Sequence, residues 1–409
     1  MLLASFLRST IKTGRLVLID AAGERHEIGD TGPPAVTIRV HDPRTERRLI
    51  LDTQLAVGEA YMDGTLTIEQ GRLHDLIIIG IINFAPMVQH PLQRPLHALR
   101  RLWVELLERN TIGRSRHNVA HHYDLTGALY ELFLDADRQY SCAYFHDPRD
   151  ALETAQAAKK ALIARKLCLA PGQRVLDIGS GWGGLALHLA RAGASQVTGI
   201  TLSREQHAAA TERARAAGLG DRVTFQLIDY RQMAGTFDRI VSVGMFEHVG
   251  ARHYPEFFAK LRGLLAPDGV ALLHSIGRAE GPGVTNAWIR KYIFPGGYSP
   301  ALSEVLPAVE RNKLWVTDIE ILRLHYAETL RRWQERFRQN RERIAALYDE
   351  RFCRMWEFYL AGSEVAFSHS DHMVFQMQLA RDPTAVPLTR DYLVEPFAPT
   401  PAPRQSRAA

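Results

Sequence analysis

This chain of 409 residues predicts an α/β fold: a mostly parallel, doubly wound sheet of Rossmann-like type, with helical insertions and a small N-terminal α+β unit. Three observations carry the prediction. From about residue 151, apolar strand-like runs alternate with helical stretches, the succession that packs helices on both faces of a parallel sheet. The run Val175-Leu176-Asp177-Ile178-Gly179-Ser180-Gly181-Trp182-Gly183-Gly184 breaks an apolar strand into a glycine turn and then a helix. The first 85 residues differ in texture and are set off by prolines.

The elements follow in order. Residues 1–85 form the small unit, with a β-like piece at Ala35–Val40, a turn at Met62-Asp63-Gly64 and an apolar helix near 72–84. The apolar run Leu76–Val88 is broken by Asn83 and Pro86 and falls short of the roughly 18 to 20 residues of a membrane span. It reads as a buried helix. Pro86, Pro91 and Pro95 interrupt any helix, so residues 86–110 read as a linker followed by a helix over 98–110. The larger domain is placed at 111–385. It runs helix 151–168, strand 174–178, helix 183–193, strand 196–201, helix 203–218, strand 223–228, strand 238–243, helix 254–265 and strand 269–275. Residues 284–380 read as a helical insertion rich in aromatics, and 386–409 as a disordered tail.

Composition narrows the function. With 46% hydrophobic and 23% charged residues the chain buries a full core and holds more than one domain. Cys142, Cys168 and Cys353 are too few and too scattered for a disulfide framework or a zinc site, which points to a reducing compartment and to no metal. The apolar start lacks the basic region and cleavage site of a secretion signal, so the cytoplasm is expected. A formal charge of +5 permits an anionic partner. Arginines gather at Arg94, Arg100, Arg101, Arg109, Arg114 and Arg116, and again at Arg331, Arg332, Arg336, Arg338, Arg341 and Arg343. Each cluster reads as a solvated helix face or as a contact for an anionic bilayer. Nothing resembles a nucleic-acid module, so no nucleic-acid partner is expected.

The glycine turn brings backbone amides at a helix N-terminus close to a nucleotide. Gly179, Gly181 and Gly184 match the dinucleotide pattern too, but two details favour S-adenosylmethionine. Asp177 precedes the first glycine, where a carboxylate faces the ammonium of an amino-acid-bearing cofactor. The second strand ends in Thr201-Leu202-Ser203-Arg204-Glu205-Gln206, with hydroxyls and an amide in place of the carboxylate that a dinucleotide ribose requires. The remaining strand ends supply Asp229-Tyr230, suited to an adenine amino group and ring, Glu247 within Gly244–Gly250, and His274 within Leu272–Gly277. Glu247 and His274, from successive strand ends, make a convergent polar pair.

Together, Tyr140-Ser141-Cys142-Ala143-Tyr144, the glycine turn, the Thr201–Gln206 segment, Gly244-Met245-Phe246-Glu247-His248-Val249-Gly250, Leu273–Gly277, Lys291-Tyr292-Ile293-Phe294-Pro295 and His325-Tyr326 resemble the cyclopropane-fatty-acyl-phospholipid synthases. The likeness spans roughly residues 50 to 380 and begins with Gly58–Gly64. It implies the class I methyltransferase fold and a reaction that adds the methyl carbon of S-adenosylmethionine across a cis double bond of a phospholipid acyl chain. It also implies bicarbonate as the base, with Cys142, Glu247, His274, Ile276 and Tyr326 around it. The implied cofactor neighbours are Tyr140, Ser141, Gly179, Ser180, Gly181, Thr201, Leu202, Ser203, Arg204, Glu205, Gln206, Asp229 and Tyr230. Faces such as those of Tyr144, Phe246 and Tyr326 could stabilise the cation that forms on the chain, while each ring taken singly reads as core packing.

Ser180 stands where the family commonly has cysteine, and Ser363 where many members carry a late cysteine. Methyl transfer to an alkene needs no covalent enzyme intermediate, so both departures are compatible with activity. The expected partners are unsaturated phospholipids at the inner face of the membrane, with a homodimer as an open possibility and the N-terminal unit as the lipid-associated part. Related lipid methyltransferases that give methyl-branched, methylene or hydroxylated chains share these residues.

Overall fold

The structure, a computed structural model, describes residues 2–91 and 127–394. The N-terminal unit runs α1 (Leu2–Thr10), β1 (Arg15–Ile19), β2 (Arg25–Gly29), β3 (Ala35–Val40), α2 (Pro43–Leu51), α3 (Thr53–Met62), β4 (Leu66–Gln70), α4 (Leu73–Ile82) and α5 (Phe84–Gln89). Its sheet has the order β2-β1-β3-β4, with only β1 and β3 parallel. Local chemistry sets the boundaries. Asp42 caps α2 by accepting the Thr45 N–H at 2.8 Å, with Pro43 just inside the helix. The apolar start of the chain folds onto this unit, with Leu3, Ala4, Phe6 and Leu7 buried.

Two expectations fail here. Leu76–Val88 is not one buried helix: α4 buries Ile79 alone, and Ile82 and Phe84 are 40% and 44% exposed. Nor does Pro86 stop a helix, because it sits in the first turn of α5, where its missing N–H has no partner to lose. The helix expected over 98–110, the first arginine cluster and residues beyond 394 lie outside the described residues, whereas the start of the expected disordered tail is held in place, Arg390 pairing with Asp318 at 2.7 Å and Tyr392 OH donating to Gln378 Oε1 at 3.0 Å.

The larger unit continues with α6 (Gly127–Phe133), α7 (Leu152–Lys166), β5 (Arg174–Ile178), α8 (Gly184–Arg191), β6 (Gln196–Ile200), α9 (Arg204–Ala216), β7 (Val223–Gln226), β8 (Phe237–Val243), α10 (Tyr254–Leu264) and β9 (Leu265–Arg278). Then come α11 (Ala287–Tyr292), α12 (Leu302–Arg311), β10 (Trp315–Ile321), α13 (His325–Gln339), α14 (Arg341–Leu347), α15 (Glu350–His369) and β11 (His372–Ala380). The sheet order is β10-β11-β9-β8-β5-β6-β7. Strands β9, β8, β5, β6 and β7 are parallel neighbours, and β11 is antiparallel to both β9 and β10. The region expected to be purely helical therefore supplies two strands. Both faces of the central strands are buried, which explains their nearly unbroken apolar runs.

The segment Gly58–Gly64 seats the small unit on the large one. A Cβ on Gly58 would meet the indole of Trp288 at 2.5 Å. Glu59 accepts from Lys291 Nζ at 2.6 Å and Tyr292 OH at 2.7 Å, and Trp288 Nε1 donates to Met62 Sδ at 3.2 Å. Helices α3 and α4 both pack on α15.

The second arginine cluster is occupied at home. Arg331 and Arg332 pair with Glu328, Arg336 with Glu153, and Arg341 with Glu350 and Glu357, while Arg343 donates to Asn340. Arg331 also reaches Glu364 and so ties α13 to α15, while Arg338 stands exposed. Cys142, Cys168 and Cys353 are buried and free of disulfides.

Candidate active site

Two cavities meet at the carboxyl ends of the sheet strands. The smaller, about 100 Å³, is lined by Gly179, Gly181, Thr201, Leu202, Gln206, Asp229 and Tyr230, with Met245 and Val249. The larger, about 710 Å³, is lined by Tyr140, Ser141, Cys142, Glu247, His274, Ile276 and Tyr326 and extends into the N-terminal unit. Gly244 and His248 line both. The site thus has two compartments with a common wall.

The glycine turn shapes the small compartment. Gly179 has φ +84°, and a Cβ there would meet Met245 Cβ at 2.8 Å, so glycine answers both to the backbone and to the close approach of the strand-end loop. Asp177, 1% exposed, has no hydrogen-bond donor on Oδ2 among the described residues. Burial pushes its carboxyl up to about 7, against the pull of the Lys159 ammonium. An unmatched buried carboxylate oxygen is costly unless a cation or donor arrives, which suits an ammonium group, although Asp177 stands just before the glycine turn and lines neither compartment.

Thr201, Ser203 and Gln206 first of all serve each other. Ser203 caps α9, Thr201 Oγ1 donates to Gln206 Oε1 at 2.9 Å, and the Ser203 N–H donates to Thr201 Oγ1 at 3.2 Å. Arg204 and Glu205 are exposed on the first turn of α9 and do not line the compartment. Glu205 instead accepts the Gly127 N–H at 2.8 Å. Asp229 stands in the compartment wall, yet both its oxygens receive Arg231, whose guanidinium lies 5.5 Å from the Tyr230 ring centre. Ser180 donates its hydroxyl to the Ile200 carbonyl at 3.4 Å.

The large compartment has a polar end. Glu247 Oε1 accepts the Ile276 N–H at 2.7 Å, while Oε2, withdrawn from solvent, meets no donor among the described residues. Burial pushes the Glu247 carboxyl up to about 7, the backbone bond from Ile276 opposing it. His274 is buried on β9, and its neighbour in the sheet register, Gln376 of β11, donates to Nδ1 at 3.1 Å. That bond leaves the ring hydrogen on Nε2. Burial depresses the imidazole to about 3, so the ring stays neutral. Cys142 donates to the Ala143 carbonyl at 3.3 Å, and burial pushes its thiol far up. It is a wall group, not a thiolate nucleophile.

Tyr140 is locked by a 2.7 Å bond to Tyr359 and by stacking on Trp333 at 5.2 Å. It and Ser141 line the large compartment, not the small one. Tyr326 does face the large compartment, edge-on to Trp333. Tyr144 and Phe246 do not: Tyr144 stacks on His325 at 4.7 Å, and Phe246 packs on Tyr254 at 4.4 Å in the core. Other aromatic rings lining the cavity include Trp288, Phe294, Phe358 and Phe367.

Lys159, Gln156, His248 and Gln376 were missed in the sequence. Lys159 is fully buried and donates to Gln139 Oε1 at 2.6 Å and Ser141 Oγ at 2.8 Å. Burial lowers its ammonium to about 8, and its charge is felt at Asp177, His274 and Cys142. Gln156 donates to the Ser141 carbonyl at 2.9 Å. Both residues sit on the buried stripe of α7, at Leu152, Ala155, Gln156, Lys159, Leu162, Ile163 and Lys166. Polar residues at apolar-stripe positions were the available signal.

A sheet with strand order β10-β11-β9-β8-β5-β6-β7, a glycine turn after β5 and ligand compartments at the strand ends define a class I methyltransferase fold. Comparison with known proteins agrees. The family model for mycolic acid cyclopropane synthetase matches residues 111–377, and a domain of unknown function matches residues 16–86. The chain belongs to the mycolic acid cyclopropane synthetase family. It is 39% identical to cyclopropane-fatty-acyl-phospholipid synthase of Escherichia coli, over 87% of this chain and 91% of that protein. It is 37% identical to a tuberculostearic acid methyltransferase of Mycobacterium tuberculosis, over 87% and 85% of the two chains. Among solved structures, mycolic acid cyclopropane synthase CmaA1 complexed with SAH and CTAB matches with a TM-score of 0.61 at 33% identity, covering 64% of this chain and 97% of that one.

Proposed function

We propose that this protein adds the methyl carbon of S-adenosylmethionine across a cis double bond of an unsaturated phospholipid acyl chain, closing a cyclopropane ring and releasing S-adenosylhomocysteine, with bicarbonate as base. The observation that carries the reading is the common wall, where Gly244 and His248 part a compact compartment beside the glycine turn from a much larger one that reaches into the N-terminal unit. When bound, S-adenosylmethionine would supply an electrophilic sulfonium methyl, and bicarbonate held beside Glu247 and His274 would supply a base for one proton of that methyl, whose C–H pair would close the ring.

The chain's own residues do the rest. Asp177 offers its open oxygen to the cofactor ammonium, and the glycine turn brings backbone close to the nucleoside. Glu247, poised near neutrality with one free oxygen, can share a proton with a small oxyanion and pass it on. Neutral His274 donates Nε2–H to that anion and is too weakly basic to take the proton itself. Buried Lys159 adds positive potential beneath the loop Tyr140–Cys142. Buried aromatic walls exclude water, which would otherwise capture the cation. Tyr326 presents a π surface that favours positive charge nearby, worth about 2 kcal/mol when desolvated.

The N-terminal unit supports a surface role. Leu2, Leu51, Ile82 and Phe84 are exposed apolar side chains on it, and Arg44 and Arg47 stand exposed on α2. Among the described residues no helix is long and apolar enough to cross a membrane. A second reading, a methyl-branched, methylene or hydroxylated product, is favoured by the nearly equal identity to the tuberculostearic acid methyltransferase. The deciding experiment incubates the purified protein with S-adenosylmethionine, bicarbonate and monounsaturated phospholipid vesicles. Release of S-adenosylhomocysteine with upfield ring-proton signals in the lipid supports the ring; release without them supports the second reading. No release overturns both.

A further inference from the structure

Two glycines in helix interiors stand beside the large cavity without a packing reason. Gly80 of α4 and Gly362 of α15 both line it, and a Cβ built on either meets nothing within 4 Å. Neither has the positive φ that would call for glycine. Glycine weakens a helix relative to alanine, so two such positions on helices that pack together need another cause. The lining nearby is apolar, with Ile77 and Ile81 from α4 and Phe358 and Ala366 from α15.

The lining also sorts by chemistry. Its charged side chains, Glu247, Arg278, Glu280 and Asp371, all come from the larger unit. The N-terminal unit contributes the hydrocarbon, with Leu3, Leu7, Ile11, Leu16, Ile38 and Leu49 drawn from its own core. An esterified acyl chain has the same polarity, with charge and oxygen at one end and methylenes at the other. The family match that holds the reacting centre begins at residue 111, so this apolar extension belongs to a part of the chain outside it.

We propose that the N-terminal unit is the subsite for the methyl-end segment of the acyl chain, and that Gly80 and Gly362 keep open the passage by which that segment reaches it. This rests on the acyl-lipid reading above. The depth of the apolar arm then sets how far from the methyl end a double bond can lie and still reach Glu247 and His274.

The test uses full-length Gly80→Leu and Gly362→Leu, assayed on phosphatidylglycerol vesicles whose acyl chains have equal length but carry the cis double bond nearer to or further from the methyl end. Each leucine variant is expected to lose about tenfold or more in turnover on the lipid with the long methyl-end segment, and about twofold or less on the other. Gly80→Ala, which adds a single carbon to the passage, is expected to shift the preference the same way but less, by about twofold to threefold on the lipid with the long methyl-end segment. Melting temperatures should hold or rise, because leucine is the better helix former. Equal losses on both lipids, or no loss, overturn the proposal. A wild-type protein inactive on every vesicle overturns instead the acyl-lipid reading on which it rests.

Discussion

Replacing Asp177 with asparagine should make the ligand-free protein more stable while making it a poorer binder. The wild-type carboxyl is raised from 3.8 to about 7 by burial. At about 1.36 kcal/mol per unit, the folded state forgoes about 4 kcal/mol once the group is ionised in the unfolded chain. The sign follows from the two protonation states. Below about pH 4 both states hold the proton and nothing is lost; as pH rises towards about 7 the unfolded chain ionises first and stability falls; above that the full cost stands. The asparagine side chain never ionises. Its amide still leaves polar atoms unmatched, so the net gain should be about 1 to 3 kcal/mol at about pH 8, and near zero at about pH 4. That is a rise of several degrees in melting temperature at the higher pH, by scanning calorimetry at both. Titration with S-adenosylmethionine should show affinity down roughly tenfold to a hundredfold, from loss of the charge-assisted bond. An asparagine variant with wild-type affinity and a wild-type stability profile would refute the assignment of Asp177 to the cofactor ammonium.

Glu247→Gln should cut turnover by about a hundredfold or more with cofactor affinity unchanged, because the amide keeps the acceptor for the Ile276 N–H but carries no proton to share; single-turnover rates beside binding titrations distinguish this from a folding defect. Gly58→Val should destabilise the protein by about 1 to 3 kcal/mol through the clash with the Trp288 indole, read as a drop in the denaturant midpoint. Ser363→Cys should retain activity and become sensitive to maleimides, since Ser363 lines the large cavity and the proposed transfer needs no thiol there; alkylation of the variant followed by a vesicle assay checks it.

Much of the sheet was legible because its central strands are buried on both faces and punctuated by turns. The expected strands at 174–178, 196–201 and 238–243 agree with β5, β6 and β8 to within a residue. Strand β11 was not legible. Its sequence, His372–Ala380, mixes apolar residues with Gln376 and Gln378, and only pairing with β9, about a hundred positions earlier, makes it a strand. Strand β10 went the same way, as the partner of β11. Of the site, Glu247, His274, Ile276, Cys142 and Tyr326 all line one cavity, while Arg204 and Glu205 point elsewhere because the first turn of α9 faces solvent. Lys159 escaped notice because a lysine on a helix is ordinarily solvated, and only tertiary burial reveals that this one is not.

Gln376 orients His274 from 102 positions further along the chain. That histidine is therefore synthesised long before the strand that aims it, and the strand takes a place between β9 and β10. The two compartments therefore gain their full set of neighbours only once the last strand of the sheet is made.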